Sequence, residues 1–180
     1  GLASADRVFT ILDVQSDITD PISPLELNQF NYDIKFEDVS FKYKNTDQVS
    51  LDTINTNISK GEVVALVGRS GAGKSTFADL IPRFYDVTKG KISIDGFDIR
   101  EVSIEKLRKL MGIVSQDTIL FNDTIKNNIS YGLPNSEIEA IRKAAQSANA
   151  LEFIEDLTDG FDTIIGERGV RLSGGQRQRI

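Results

Sequence analysis

A glycine-rich run with one lysine and two hydroxyl side chains is the stretch of this sequence best suited to chemistry. It consists of Gly68, Arg69, Ser70, Gly71, Ala72, Gly73, Lys74, Ser75 and Thr76, and it fits the pattern G-x-x-x-x-G-K-[ST]. Glycines let a backbone turn tightly and bring its N–H groups against phosphate oxygens. Lys74 supplies a positive charge for β- and γ-phosphates, and Ser75 offers a hydroxyl to Mg²⁺. The run therefore predicts a site for a nucleoside triphosphate with magnesium, with Thr76 directed toward the α-phosphate.

The residues on either side of this glycine-rich run predict the elements that hold it. The apolar stretch Glu62–Val67 predicts a short buried strand, and Phe77–Ile81 predicts the first turns of a helix that begins near Gly73. Strand, glycine loop and helix form the context in which the pattern marks a site. The N-terminal end of the helix would add its positive partial charge to the same place.

A second motif, Leu172–Gln176, lies close to the end of the sequence. Ser173 and Gln176 have the Ser-x-x-Gln spacing of a capping box, so the motif predicts a well-capped helix start. Gly174 and Gly175 would also expose backbone N–H groups at that helix N-terminus, which predicts a second anion site. The residues alone leave both interpretations open.

The composition favours one soluble globular domain. The 180 residues are 39% hydrophobic and 27% charged, which is enough apolar material for a core. A net charge of -6 and a pI near 4.8 argue against nucleic-acid binding, which needs a basic face. The absence of cysteine excludes disulfides, and the absence of histidine removes the commonest general base. The longest apolar run, Val63–Val67, is too short to span a bilayer.

The first thirty residues predict a helix followed by a linker. Apolar residues recur at helical spacing from Gly1 to about Gln15. This helix would either pack on its own domain or be the tail of a longer helix from an upstream domain. The segment 16–31 contains Pro21 and Pro24 among polar residues and predicts an extended linker. Gly1 in place of an initiator methionine, and Ile180 inside a predicted helix, suggest a chain cut at both ends.

The remaining elements alternate between strands and helices. Strands are predicted at Ile34–Tyr43 and Val49–Ile58, which form an antiparallel pair, and at Lys91–Ile94 and Gly112–Ser115. A short helix is predicted at Ser103–Met111. Ser136 and Glu139 predict a capping box for a later helix whose apolar stripe is Ile138, Ile141, Ala145, Ala148 and Leu151.

Taken together, the two motifs make the sequence resemble the nucleotide-binding domain of ABC transporters, a family whose signature is LSGGQ. The resemblance covers Ile34 to Ile180. It implies an α/β fold: a P-loop NTPase (RecA-like) core with an antiparallel β subdomain and a helical signature subdomain, incomplete at the C-terminal end. Exporters of the lipid-flippase and multidrug type are indicated by Gly166–Gly169, Phe84–Asp86 and Leu120–Phe121.

The same resemblance implies roles for individual residues. Tyr43 matches the aromatic platform that stacks on adenine, and Gln116 matches the loop glutamine that reaches Mg²⁺ and the attacking water. Lys74 and Ser75 of one copy would face the signature of a second copy, paired head to tail around two ATP molecules. That signature contributes Ser173, Gly174, Gly175 and Gln176.

The resemblance also implies a domain organisation and a membrane partner. Residues 1–30 would be the helix tail and linker from an upstream transmembrane domain of the same parent chain. Residues 31–122 would hold the β subdomain and phosphate-loop core, and residues 123–180 the helical subdomain. The domain would lie at the cytoplasmic face of the cell membrane.

One departure from the family limits what these 180 residues can do alone. In the family, a strand ending in Asp-Glu, a loop Asp and a histidine follow the signature, and none of them lies within residues 1–180. We therefore expect the full protein to hydrolyse ATP and this segment by itself not to. Two alternatives stay open: a soluble ABC-type ATPase of DNA repair or translation, and a nucleotide sensor without turnover.

Overall fold

The computed structural model describes residues 2–115, 118–133 and 135–180. The chain divides into two compact units, residues 1–112 and residues 113–180. In the part of the chain described, no helix combines the length and the apolar character that crossing a membrane requires.

The first unit is built on a four-stranded antiparallel sheet. Its strands are β1 (Asp33–Lys42), β2 (Val49–Ser59), β3 (Lys89–Ile94) and β4 (Phe97–Asp98), in the order β2-β1-β3-β4. The β1–β2 hairpin is thus the predicted antiparallel pair, with bounds that differ from the prediction by one residue at three of the four ends. The helices are α1 (Leu2–Leu12), α2 (Lys74–Leu80) and α3 (Ile104–Lys109).

Strand β1 is irregular in its middle, and a glycine of β3 accommodates the irregularity. The β1–β3 register shifts between Glu37 and Ser40, and Asp38 has a positive φ of 49°. A Cβ on Gly90 would lie 2.3 Å from the Glu37 carbonyl oxygen and 2.4 Å from that of Asp38. Only glycine fits where the two backbones approach this closely.

Helix α2 is fixed to the sheet by an apolar core. The Phe77 ring stacks on the Phe36 ring of β1 with centroids 4.2 Å apart, and Leu80 is fully buried. Alternate residues of the strands complete this core from the sheet side, among them Val39, Phe41, Leu51, Ile92 and Ile94. Since α2 follows directly on the glycine-rich loop, this packing fixes where the loop ends.

The predicted linker lies along the first unit and is bonded to it. Leu25 forms a parallel bridge with Val102, and the Asp20 carboxylate accepts a hydrogen bond of 2.7 Å from the backbone N–H of Ile104 at the start of α3. The Asp95 carboxylate accepts three further backbone N–H bonds, from Asn31, Tyr32 and Asp33. The segment is extended as predicted, but it is held to the first unit by a β-bridge and by hydrogen bonds, which a free linker would lack.

Two strands predicted from the sequence are not formed. Glu62–Val67 and Gly112–Ser115 have irregular backbones, and Val63 and Val67 are 96% and 93% exposed. The prediction of a buried strand before the glycine loop is therefore wrong for this structure. A strand buried on both faces is stable only between hydrogen-bonded neighbours, and no described segment pairs with either stretch.

The second unit is a set of short helices around a small core. The helices are α4 (Ile125–Ile129), α5 (Ile138–Ser147), α6 (Leu151–Glu155) and α7 (Gly174–Arg179), with 3₁₀ turns at Gly160–Asp162 and Glu167–Gly169. The buried core residues are Leu120, Ile125, Ala145, Ala150, Ile154, Ile165 and Leu172. This core gathers side chains from α4 to α6 and from the segments before α4 and before α7.

The start of α5 differs from its prediction. Its N-cap is Glu137, and the Ser136 hydroxyl donates instead to the Leu133 carbonyl at 2.8 Å. The predicted Ser136–Glu139 capping box is therefore wrong, because the Ser136 hydroxyl is engaged by the preceding turn. The predicted apolar stripe is partly correct: Ile141 and Ala145 are buried, while Ala148 is exposed.

Candidate functional site

The glycine-rich loop curves back on itself immediately before α2. Gly71 and Gly73 adopt the left-handed conformation, with φ of 79° and 83°, and the Ala72 N–H donates to the Arg69 carbonyl at 3.2 Å. Left-handed φ values cost glycine nothing and cost other residues considerably. The sequence positions of these glycines are thus explained by the turn that they make.

Gly73 is required for a second reason, which is close packing. A Cβ at this position would lie 2.5 Å from the Ser50 carbonyl oxygen and 2.9 Å from a methyl carbon of Leu51, both in β2. Gly73 is also the N-cap residue of α2. The end of the loop is therefore seated directly against the sheet.

The Lys74 side chain lies over the loop. Its ammonium Nζ donates to the carbonyl oxygens of Gly68 at 3.0 Å and Arg69 at 2.8 Å. Among the described residues, no carboxylate forms an ion pair with Lys74. The positive charge is thus held at the loop, and the neighbouring Ser75 side chain is exposed. The Lys74 ammonium and the backbone N–H groups of the glycine loop suit phosphate oxygens, and the Ser75 hydroxyl suits Mg²⁺. The loop therefore fits a magnesium-bound triphosphate.

Tyr43 and Thr76, predicted to contact different parts of one nucleotide, are in direct contact. Their hydroxyl oxygens are 3.0 Å apart and share a hydrogen bond, and Thr76 is only 6% exposed. The Tyr43 ring meets the rings of Phe41 and Tyr85 edge-on, with centroid distances of 4.9 and 5.2 Å. A cavity of about 660 Å³ lies beside these rings and is lined by Phe84 as well.

The signature segment forms the capped helix start that its spacing predicts. The Gln176 N–H donates to the Ser173 hydroxyl at 3.2 Å, and the Ser173 N–H donates to the Gln176 side-chain oxygen at 2.8 Å. Both halves of the capping box are therefore present at the start of α7. Gly174 and Gly175, the first two residues of α7, are exposed.

The turn before the signature depends on glycine as well. Gly166, Arg168 and Gly169 all have positive φ values. A Cβ on Gly169 would lie 2.8 Å from a methyl carbon of Leu120 and 3.3 Å from the aliphatic stem of Arg177. Gly169 therefore lets this turn pack against the second core.

The predicted site residues are divided between the two units of the chain. Gln116 lies outside the described residues, so its predicted roles at Mg²⁺ and water stay predictions. The phosphate loop belongs to the first unit and the signature to the second. The described residues contain no group of three or more His, Cys, Asp or Glu side chains that could hold a metal.

A family model described as ABC transporter matches residues 51–180. The chain belongs to the ABC transporter family. It is 53% identical, over its whole length, to an ATP-dependent lipid A-core flippase of Desulfotalea psychrophila, of which it covers 31%. It is 48% identical over 179 residues to a Bacillus subtilis protein named for multidrug export, again covering 31% of that protein.

The fold of this chain matches part of a solved structure, that of a bacterial Atm1-family ABC exporter with ATP bound. The two agree with a TM-score of 0.90 and 41% sequence identity, over 99% of this chain and 31% of that one. The predicted α/β fold of an exporter nucleotide-binding domain is thereby confirmed. The chain spans about a third of the length of the relatives that it matches.

Sequence reasoning did not identify the residues that hold Tyr43 in place. Phe41 carried a usable signal, because it lies two positions from Tyr43 along the chain and side chains two apart in an extended segment share a face. Tyr85 carried none: it lies 42 positions away along the chain, and only packing brings its ring to Tyr43.

Proposed function

We propose that this chain is the ATP-binding domain of an ABC exporter, which couples ATP binding and hydrolysis in the full protein to transport across a membrane. The observation that carries the proposal is the Lys74 ammonium at the start of α2, which is held on the loop carbonyls and forms no ion pair with any carboxylate of the described residues. Such a charge, beside the exposed Ser75 hydroxyl, suits a triphosphate with Mg²⁺. The confirmed family supports the same ligand.

Roles for the remaining residues follow the family pattern. Backbone N–H groups of Gly71 to Ser75 would surround the β-phosphate. Ser75 and Gln116 would hold Mg²⁺, which neutralises charge on the phosphates and so favours phosphoryl transfer. Tyr43 would stack on the adenine, and the aromatic cavity beside it offers space for a flat base.

We further propose that two copies of the domain enclose the nucleotide. Lys74 of one copy would lie across a γ-phosphate from Ser173 and Gly174 of the other, in a two-fold arrangement. The γ-phosphate would then bridge both sites, so hydrolysis would release the pair. Exposure of Gly174 and Gly175 at the capped start of α7 supports this use of the signature.

The wider organisation belongs to the same proposal. Residues 1–30 would connect to a transmembrane domain of the same chain, with residues 31–122 and 123–180 as the two parts of the nucleotide-binding domain. The relatives' greater length leaves room for such a domain. The ATP-binding domain would then lie at the cytoplasmic face of the membrane, without a role for nucleic acid.

The substitution Ser173→Arg in the full-length protein tests this function. ATP should still bind, because the phosphate loop is untouched, but ATP-driven pairing of two domains and hydrolysis should be lost. Pairing can be followed by cross-linking across the proposed interface. Ser147→Arg is the matched control, since Ser147 is also exposed in the second unit but lies outside the signature, and it should retain both properties. If Ser173→Arg instead weakens ATP binding to a single copy, the two-copy proposal is wrong.

A further inference from the structure

The hydrogen bond between Tyr43 and Thr76 joins two segments that are far apart in the chain. Tyr43 directly follows β1, and Thr76 is the third residue of α2, two positions after Lys74. Thr76 is one of three buried polar or charged residues among those described, with Arg83 and Ser93. A buried hydroxyl needs a partner, because leaving it unsatisfied is costly. Tyr43 is the partner that this structure provides.

The ring contacts of Tyr43 determine where its hydroxyl is directed. Phe41 and Tyr85 meet the Tyr43 ring at interplanar angles of 83° and 88°, and their own rings are 5.6 Å apart. Edge-to-face contacts of this kind have a preferred geometry. The ring is therefore oriented by its neighbours, and the orientation brings its hydroxyl to Thr76.

The hydrogen bond to Tyr43 also affects the rotamer of the Thr76 side chain. A threonine hydroxyl in a helix has two accessible rotamers and can turn to a backbone carbonyl in the preceding turn. When Thr76 is the donor, the Tyr43 hydroxyl takes the place of that carbonyl as its acceptor and holds the Thr76 side chain in one orientation. Removing the Tyr43 hydroxyl would take away the partner that the Thr76 hydroxyl has in this structure and leave its side chain free to reorient.

We propose that Tyr43 is a positioning residue for the phosphate site: its hydroxyl orients Thr76, so a triphosphate binds more tightly even when no base is present. This inference rests on the proposed ATP site and extends it. Stacking alone predicts that Tyr43 affects only ligands that carry a base. Action through Thr76 predicts an effect on the phosphates themselves, so the two roles can be separated by ligand and by variant.

The experiment compares ATP with inorganic tripolyphosphate, each with Mg²⁺, in binding to the full-length protein. Tyr43→Phe keeps the ring and removes the hydroxyl. It should weaken both ligands by the same factor, about five- to tenfold, which corresponds to the loss of one buried hydrogen bond. Tyr32→Phe is the matched control, because it removes a tyrosine hydroxyl from an exposed position of the first unit outside the loop and the ring cluster, and it should bind tripolyphosphate as the wild type does.

Variants of Thr76 show whether the effect passes through this residue. In a Thr76→Val background, Tyr43→Phe should have no further effect on tripolyphosphate binding. Thr76→Ser keeps a hydroxyl and should restore sensitivity to Tyr43→Phe. A change in folding alone would not reproduce this dependence on the residue at position 76.

The possible outcomes separate this inference from the proposed function. Unchanged tripolyphosphate affinity in Tyr43→Phe overturns the positioning role and leaves stacking. Wild-type protein that binds ATP but not tripolyphosphate overturns it too, because the phosphate site alone must then be insufficient. Wild-type protein that binds neither ligand overturns the ATP site itself.

Discussion

The ammonium of Lys74 lies 3.0 Å from the carbonyl oxygen of Gly68, the first glycine of the same loop. A second bond, to the Arg69 carbonyl, completes the contact, so the loop and its lysine form a closed unit. A triphosphate would offer this ammonium a stronger, charge-assisted bond. The loop is therefore held in shape by the group that would bind the ligand.

Replacing Gly73 with alanine should lower the free energy of unfolding by more than the cost of a left-handed alanine backbone. Gly61→Ala is the matched control, since both glycines have φ of 83° but only Gly73 has β2 atoms in the way of a Cβ. Left-handed strain costs about 1–2 kcal/mol at either site. Thermal unfolding should show a clearly larger loss for Gly73→Ala, and ATP binding should be lost in that variant only. Equal losses would mean that the close approach to Ser50 is absent.

The Asp95 carboxylate should stabilise the fold in its charged form. Burial acts to raise its pKa, but the backbone N–H groups of Asn31, Tyr32 and Asp33 offset this, and the pKa of Asp95 is lowered overall. Asp95→Asn keeps a residue that tolerates positive φ but loses the charge, and two of its three backbone bonds are exposed to solvent, so the unfolding free energy at neutral pH should fall by about 1 kcal/mol. Chemical denaturation measures this change.

The pH dependence of that loss follows from the direction of the shift. A lowered pKa in the folded state adds stability above the ordinary aspartate range, and this stability disappears as the pH falls through the lowered pKa. The difference between wild type and Asp95→Asn should therefore shrink in acid, below about pH 4. Asp47→Asn, at an exposed turn residue, should match the wild type at every pH. If the difference in unfolding free energy stayed constant in acid, the hydrogen bonds from Asn31, Tyr32 and Asp33 to the charged Asp95 carboxylate would be contradicted.

The capping box of α7 should behave as one cooperative unit. Ser173→Ala and Gln176→Ala should each destabilise the helix start by about 0.5–2 kcal/mol. The double variant should lose less than the sum, because either change breaks a shared arrangement. Hydrogen exchange of the α7 amides reports this directly. The Ser136 hydroxyl donates to the Leu133 carbonyl and caps no helix, so Ser136→Ala should leave the exchange rates of the α5 amides unchanged. Faster exchange of those amides would indicate that Ser136 does cap α5.

Replacing Tyr43 with alanine should weaken ATP and GTP by similar factors. Ring stacking does not distinguish bases by their hydrogen-bonding edges, and any effect through Thr76 reaches the shared phosphates. Competitive binding of the two nucleotides to the full-length protein measures the ratio. A selective loss of one nucleotide would indicate that Tyr43 or its neighbours read a base edge.

The sequence predicted the local structure well where local rules decide it. The β1–β2 hairpin, the helix after the glycine loop and the Ser173–Gln176 cap all follow from short-range patterns. Glu62–Val67 and Gly112–Ser115 show the limit: their apolar composition favours strands, but a strand exists only with a hydrogen-bonded neighbour. Composition cannot supply that neighbour.

Contacts between distant residues could not be predicted from the sequence either. Asp95 binds backbone more than sixty positions away, and Asp20 meets Ile104 across 84 positions. The Tyr43–Thr76 bond spans 33 positions. Motif spacing identified the residue types of the candidate site, while the arrangement that joins them depends on packing of the first core.

Binding of Mg²⁺-ATP to the full-length protein, with Lys74→Ala compared with wild type, tests the central claim most directly. Lys60→Ala is the matched control, because the Lys60 ammonium also donates to a backbone carbonyl, that of Phe30, but outside the loop. Calorimetry should show ATP binding in wild type and Lys60→Ala and none in Lys74→Ala. Unchanged affinity in Lys74→Ala would contradict the assignment of this loop as the phosphate site.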